Sequence, residues 1–220
     1  MHCPCCPPEN VNDLDHTFKA NHARRDAGRY LKKGLDKRGR KLIAYLVEHC
    51  AEPVAVLDIG CGAGGVHHEL LRRGVAGRVV GVEASSAYLE AAQANATHLG
   101  LGEQVVYRQA DFAQAAEMFD PADVVIMDRV ICCYPYLSQL LGTAARQARR
   151  YLALSFPIDA WWLRLGFRFV DILLTLFRSK YHPYLHAQAD ITAIAQAAGL
   201  QPVHLDRSGF WQIMIFARTA

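Results

Sequence analysis

No stretch of this chain has the length and apolarity of a bilayer-spanning segment; the most apolar one, residues 161–178, is too short and too charged. The opening residues, "MHCPCCPPEN", are polar and proline-rich and lack an apolar core, so no secretory leader is read there. Internal repeats and low-complexity linkers are missing too, which excludes solenoids and strings of small modules. The 7 cysteines follow no regular framework, and Cys132–Cys133 form no C-x-x-C knuckle. A reduced, cytoplasmic setting is therefore expected rather than a disulfide scaffold.

What is present suits one soluble domain with a substantial core: 220 residues, 52% hydrophobic and 20% charged. The net charge of +3 hides an asymmetry. Residues 16–41 hold ten Lys/Arg against two acids, Asp26 and Asp36, a local excess of eight positive charges. The remainder has 14 Lys/Arg against 19 Asp/Glu, a deficit of five. Such a segment attracts an anionic substrate, nucleic acid or a membrane surface, or is simply a solvated helix face.

Residues 1–12 read as a disordered, cysteine-containing tail and 13–220 as a single domain. Within it, 13–50 reads as a helical cap broken near Gly34. From residue 54 apolar runs alternate with helical patterns. Strands are expected at 54–60, 78–83, 104–111, 122–128 and 151–157, with helices at 65–74, 86–100 and 136–150 between them. A long amphipathic segment, 159–179, belongs to an insertion over 159–186, followed by a helix over 187–198. "QPVHLDR" and "FWQIMIFAR" close the chain as an antiparallel pair. The expectation is an α/β, Rossmann-like, doubly wound seven-stranded sheet with an antiparallel last strand. Ligands of such sheets bind beyond the carboxyl ends of the strands.

At those ends stand "VLDIGCGAGG", "VVGVE" and "ADF". Gly60, Gly62 and Gly65 satisfy G-x-G-x-x-G, which alone also fits a nicotinamide enzyme. Asp58, just before the loop, suits a cationic ligand better than a pyrophosphate. Glu83 can accept from two ribose hydroxyls, and Asp111 from an adenine amino group with Phe112 against the ring. This ordered set resembles the class I S-adenosylmethionine-dependent methyltransferases over roughly residues 54–157, and the last two strands fit as well. The resemblance implies S-adenosylmethionine as cofactor, with S-adenosylhomocysteine as product. It implies that the glycine loop faces the methionine part, Glu83 the ribose and Asp111 the adenine. The implied cofactor site is Tyr30, Asp58, Gly60, Cys61, Gly62, Gly64, Glu83, Ala84, Asp111, Phe112, Asp128 and Arg129.

In that family the segment after the fourth strand faces the acceptor. Here it is "DRVICCYP", not the D/N-P-P-Y/F of amino-methylating nucleic-acid enzymes, so no DNA partner is expected. Asp128 is expected to orient cofactor or acceptor, Arg129 to pair with a substrate carboxylate or with Asp128, and Tyr134 to hydrogen-bond an acceptor or close the pocket. On extended backbone Cys132 and Cys133 would point apart, and burial is the commoner fate of cysteine. "HCPCC" could hold a soft ion on Cys3, Cys5 and Cys6, though no second half of a metal site follows, and no metal is assigned. This tail, "RYLKKGLDK" and "DRVICCYP" together are similar to a group of bacterial methyltransferases of unassigned substrate, loosely related to magnesium-protoporphyrin methyltransferases.

The cap places Tyr30, Lys32 and Lys33 where they can close over the site. In 161–178, Arg164, Arg168, Asp171, Thr175 and Arg178 form one narrow polar stripe on an otherwise apolar helix. That helix reads as a lid, a dimer contact or a peripheral membrane contact, in that order. His182 and His186 are the candidate general bases. The activity expected is methyl transfer to a small, apolar or anionic acceptor by a monomer or homodimer. The alternatives are a thiol or metalloid methyltransferase, a nicotinamide-dependent oxidoreductase, and a non-catalytic RNA-binding protein.

Overall fold

The computed structural model describes residues 15, 19–176 and 182–219, without the Thr175 side chain. The cysteine tail expected over 1–12, with Cys3, Cys5 and Cys6, lies outside the described residues, as does Arg178.

Helix α1 (Ala20–Lys33) ends at Gly34, whose φ of +67° is open to glycine and whose N–H closes on the Tyr30 carbonyl. Asp36 then caps α2 (Lys37–His49), its carboxylate accepting from the Gly39 N–H at 2.7 Å. The alternating part follows: β1 (Val54–Ile59), α3 (Gly65–Arg72), β2 (Ala76–Glu83), α4 (Ser86–His98), β3 (Val105–Gln109), the short α5 (Phe112–Ala115) and β4 (Ala122–Asp128). After it come α6 (Leu137–Gln147), β5 (Ala148–Pro157), α7 (Trp161–Leu176), α8 (Gln188–Ala197), β6 (Leu200–Ser208) and β7 (Trp211–Arg218).

Seven strands form one sheet in the order β3-β2-β1-β4-β5-β7-β6. All run parallel except β7, which is antiparallel to both its neighbours. This is the doubly wound architecture expected. Strand alternation divides the core: Val124 and Ile126 pack with Leu42, Leu46 and Leu70 of α2 and α3 on one face. Val125 and Met127 pack with Leu141 and Ala144 of α6 and Ile191 of α8 on the other.

Two expected boundaries are corrected. Residues 148–150 are the start of β5, not the end of the preceding helix, because Ala148 pairs with Ala122 of β4. Cys132 and Cys133 are not extended; Ile131–Cys133 is a 3₁₀ turn that brings their sulfurs to 3.9 Å. The bland reading of the basic segment fails at two positions as well. Arg38 is 6% exposed, and Lys41 reaches Asp206 of β6 at 2.7 Å.

Candidate active site

The carboxyl ends of β1 to β4 converge on a cavity of about 320 Å³, walled by Gly60, Gly62, Glu83, Asp111, Arg129 and Trp211 among others. Beside it a recess of about 100 Å³ runs beneath α1 and α2, sharing Asp26, Gly60, Gly62, Tyr88, Asp128 and Arg129.

The glycine loop is built by sterics. Gly60 has φ +64°, and a Cβ there would lie 2.6 Å from a Val130 methyl. Gly62 (φ +55°) turns its N–H onto Glu83 Oε2 at 2.9 Å, while the Ser85 N–H donates to Oε1 at 3.0 Å. Glu83 is thus a half-buried carboxylate aimed by two backbone donors, with lone pairs left for a ligand. Burial pushes its pKa up, and those N–H groups pull part of the way back. Asp111 caps α5, accepting from the Ala113 N–H, the Gln114 amide and the Tyr134 hydroxyl. Burial outweighs these bonds and leaves it raised. Phe112 is 3% exposed and packs on Phe119, so it is mainly core, with one edge on the cavity.

Other expected site residues stand behind this surface. Asp58 is buried and accepts from His67 Nδ1–H at 2.7 Å. The chain of contacts continues through the Tyr107 hydroxyl, 3.0 Å from His67 Nε2 and 2.7 Å from His68 Nε2. Asp58 and Cys61 line only the smaller recess, as does Tyr30, which packs on Gly65. Gly64 lies on neither wall; it starts α3 at φ +84°, where a Cβ would collide with the His68 ring. Ala84 is on the main cavity wall.

Beyond β4, Asp128 pairs not with Arg129 but with Arg38, and also accepts from the Ser155 hydroxyl. Arg38 lies 5.5 Å over the Trp211 ring and donates to Asp36 as well. Burial and the Arg129 charge pull its guanidinium down to about 10. Arg129 itself has φ +63°, the positive-φ non-glycine among the described residues, and its N–H is held by Ser155. Strain of this kind collects at functional sites. Cys132 and Cys133 both line the cavity. The Cys133 contact and burial push Cys132 far above the usual thiol range, so it is a thiol at neutral pH.

The candidate bases are elsewhere. His182 pairs with Asp171 of α7 at 2.5 Å. His186 Nε2–H donates to the Ile131 and Tyr134 carbonyls, each at 3.0 Å, bracing the 3₁₀ turn. Neither histidine lines either cavity, and nor does any residue of α7. Conversely, the sequence did not point to Arg38, Ser155, Tyr88 or Trp211. Asp26 had a signal: an acid alone in a basic helix. It lines both cavities and accepts from the Tyr88 hydroxyl at 2.8 Å.

Residues 52–155, which carry β1 to β4, most of β5 and this loop set, match a family model described as a methyltransferase domain. These residues are a class I methyltransferase domain. The protein is an enzyme, and its methyl donor is S-adenosylmethionine. None of the curated proteins matches the chain. Among solved structures, the methyltransferase is similar to magnesium protoporphyrin IX methyltransferase from Synechocystis PCC 6803 with bound SAH. The two are 23% identical with a TM-score of 0.74, over 96% of this chain and 100% of that one. An O-methyltransferase family protein from Burkholderia thailandensis is 16% identical, TM-score 0.73, over 94% of this chain and 64% of that one. Human N-acetylserotonin methyltransferase in complex with SAM is 14% identical, TM-score 0.65, over 98% and 61%. These likenesses establish the shared fold. The methyltransferase match takes the place of the nicotinamide and RNA-binding readings.

Proposed function

We propose that the protein methylates a small, partly apolar, anionic acceptor from S-adenosylmethionine held in the larger cavity. The observation that carries this is Glu83, a half-buried carboxylate on the cavity wall fixed by the Gly62 and Ser85 N–H groups. Its remaining lone pairs fit the two hydroxyls of a ribose, and Asp111 offers a second acceptor further along the same wall. When bound, S-adenosylmethionine supplies an electrophilic methyl group on a sulfonium sulfur. The chain's own part is to orient the partners and exclude water.

In this reading Glu83, Ala84, Asp111 and Phe112 hold the nucleoside side of the cofactor, and Gly60 and Gly62 face its methionine part. Tyr30, Asp58, Cys61 and Gly64 shape the loop from behind. Arg129 attracts the acceptor's negative charge, and Val130, Cys132 and Trp211 give its apolar walls. No imidazole among the described residues lines the cavity, which favours an acceptor that arrives deprotonated, such as a carboxylate. Asp128 positions the wall through Arg38 and Ser155, and Tyr134 does so through Asp111.

Calorimetry with S-adenosylhomocysteine tests the cofactor half. Micromolar binding that Glu83→Ala weakens at least tenfold supports it, and no binding by the wild type overturns it. The acceptor half is tested by methyl transfer from labelled S-adenosylmethionine to a panel of apolar carboxylic acids.

A second reading rests on the 3.9 Å separation of the Cys132 and Cys133 sulfurs on that wall. Two adjacent thiols suit a soft, trivalent metalloid acceptor. Arsenite-dependent turnover, lost in Cys132→Ser, would favour it over the carboxylate.

A further inference from the structure

Helix α7 has two apolar faces. Leu163 is buried, and Phe167, Asp171 and Leu174 are half-buried on the same side, so this face docks the helix. On the opposite side Trp161, Leu165, Phe169, Ile172 and Leu176 recur at spacings of 4, 4, 3 and 4. They are 78%, 65%, 62%, 65% and 74% exposed, which no core-facing stripe would be. Trp162 and Leu173 widen the face, and Phe210 adds to the exposed apolar surface next to the start of α7, where the Ile158 N–H donates to its carbonyl. Monomeric soluble proteins rarely leave so large an apolar face open.

We infer that α7 is an interfacial helix that docks the protein on an anionic lipid bilayer. At 16 residues it is about 24 Å long, suited to lying in the plane of a bilayer rather than crossing it. Among the described residues no helix is long and apolar enough to cross a membrane. Tandem tryptophans at the helix start match the preference of indole for the lipid interface.

Charge decides between a bilayer and a second copy of the chain. Arg164 and Arg168 border the apolar stripe, Arg164 being neutralised by Asp159 at 2.6 Å and Arg168 standing exposed. Helix α1 lines the same cavity as Trp211, the neighbour of Phe210, through Asp26. That helix exposes Arg24, Arg25, Arg29, Lys32 and Lys33. A two-fold pairing of copies on this face would bury the Arg168 charges, whereas an anionic leaflet attracts them.

The docked helix is also wired to the site. Asp171 holds His182, the Tyr184 N–H donates to the Cys132 carbonyl at 2.8 Å, and His186 braces Ile131 and Tyr134. A helix seated on lipid would therefore steady the acceptor wall.

The test is flotation of the full chain with vesicles of phosphatidylcholine alone or with added phosphatidylglycerol. Partition onto the anionic vesicles should exceed that onto neutral ones at least tenfold. Leu165→Glu/Phe169→Glu should abolish it while S-adenosylhomocysteine binding is kept, which shows that the variant folds and leaves the cofactor reading untouched. Arg24→Glu/Arg168→Glu should remove the preference for anionic lipid. Absence of partition, equal partition onto both vesicles, or a dimer in light scattering that Leu165→Glu/Phe169→Glu breaks would each overturn the inference.

Discussion

Arg38 of α2 donates through Nη1 to the Asp128 carboxylate at the end of β4, with both side chains about nine-tenths buried or more. The pair fastens the helical cap to the strand whose end walls the cavity. Removing one partner of a buried pair strands the other charge, which costs about 3 kcal/mol or more. Arg38→Ala should therefore lower stability in urea by about that amount. It should also weaken S-adenosylhomocysteine binding, because the recess beneath the cap loses its roof.

Asp58 and Glu83 are both acids at strand ends, yet they should fail differently. Asp58→Ala leaves His67 buried without its acceptor, a loss of about 1–3 kcal/mol, and should lower the melting temperature more than it lowers intrinsic affinity. Glu83→Ala removes a cavity-wall acceptor and should do the reverse. Melting curves and calorimetry on the two variants separate the effects. Equal loss of affinity with unchanged melting would show that Asp58 contacts the ligand directly.

Gly60→Ala meets two obstacles, a positive φ and a Val130 methyl 2.6 Å from the new Cβ. The backbone part alone costs about 1 kcal/mol. Val130→Ala in the same chain should recover the steric part and leave the backbone part. A double-mutant cycle by chemical denaturation should thus show a favourable coupling of at least about 0.5 kcal/mol.

His68 gives a pH dependence. Burial, and then the neighbouring His67, lower its pKa to about 2, so it stays neutral in the fold while an unfolded histidine takes up a proton near pH 6.5. Its contribution to stability is complete above that value and is lost as the pH falls. The loss from this residue should reach about 2 kcal/mol between pH 7 and pH 5. His68→Gln should flatten the acid limb of the stability profile by about one proton, as read from urea midpoints.

The strands and the glycine loop were legible because their signal is local: a short apolar run ending in glycine, repeated with helical spacers. Asp111 and Glu83 were legible for the same reason, as acids closing such runs. Arg38 was not, because its partner lies far along the chain and a basic helix ordinarily faces water. The turn at Ile131–Cys133 escaped because three residues carry no periodicity, and with it went the closeness of the two thiols. Arg149 and Arg150 look like the last turn of a helix, yet they are the exposed positions where β5 begins. His182 and His186 have the chemistry of bases, but only three-dimensional contacts show that both are engaged as braces.

The position of β7 has a consequence for synthesis. It lies between β5 and β6, so "YLALSFP" of β5 keeps an open outer edge until residues 211–218 have been made. Until that moment the nascent domain carries an apolar ribbon with unpaired backbone, the kind of surface that recruits chaperones or other unfinished chains. The final hairpin is a seal as well as a pair of strands, and a ribosome that stops short of it would release an aggregation-prone chain rather than a shortened enzyme.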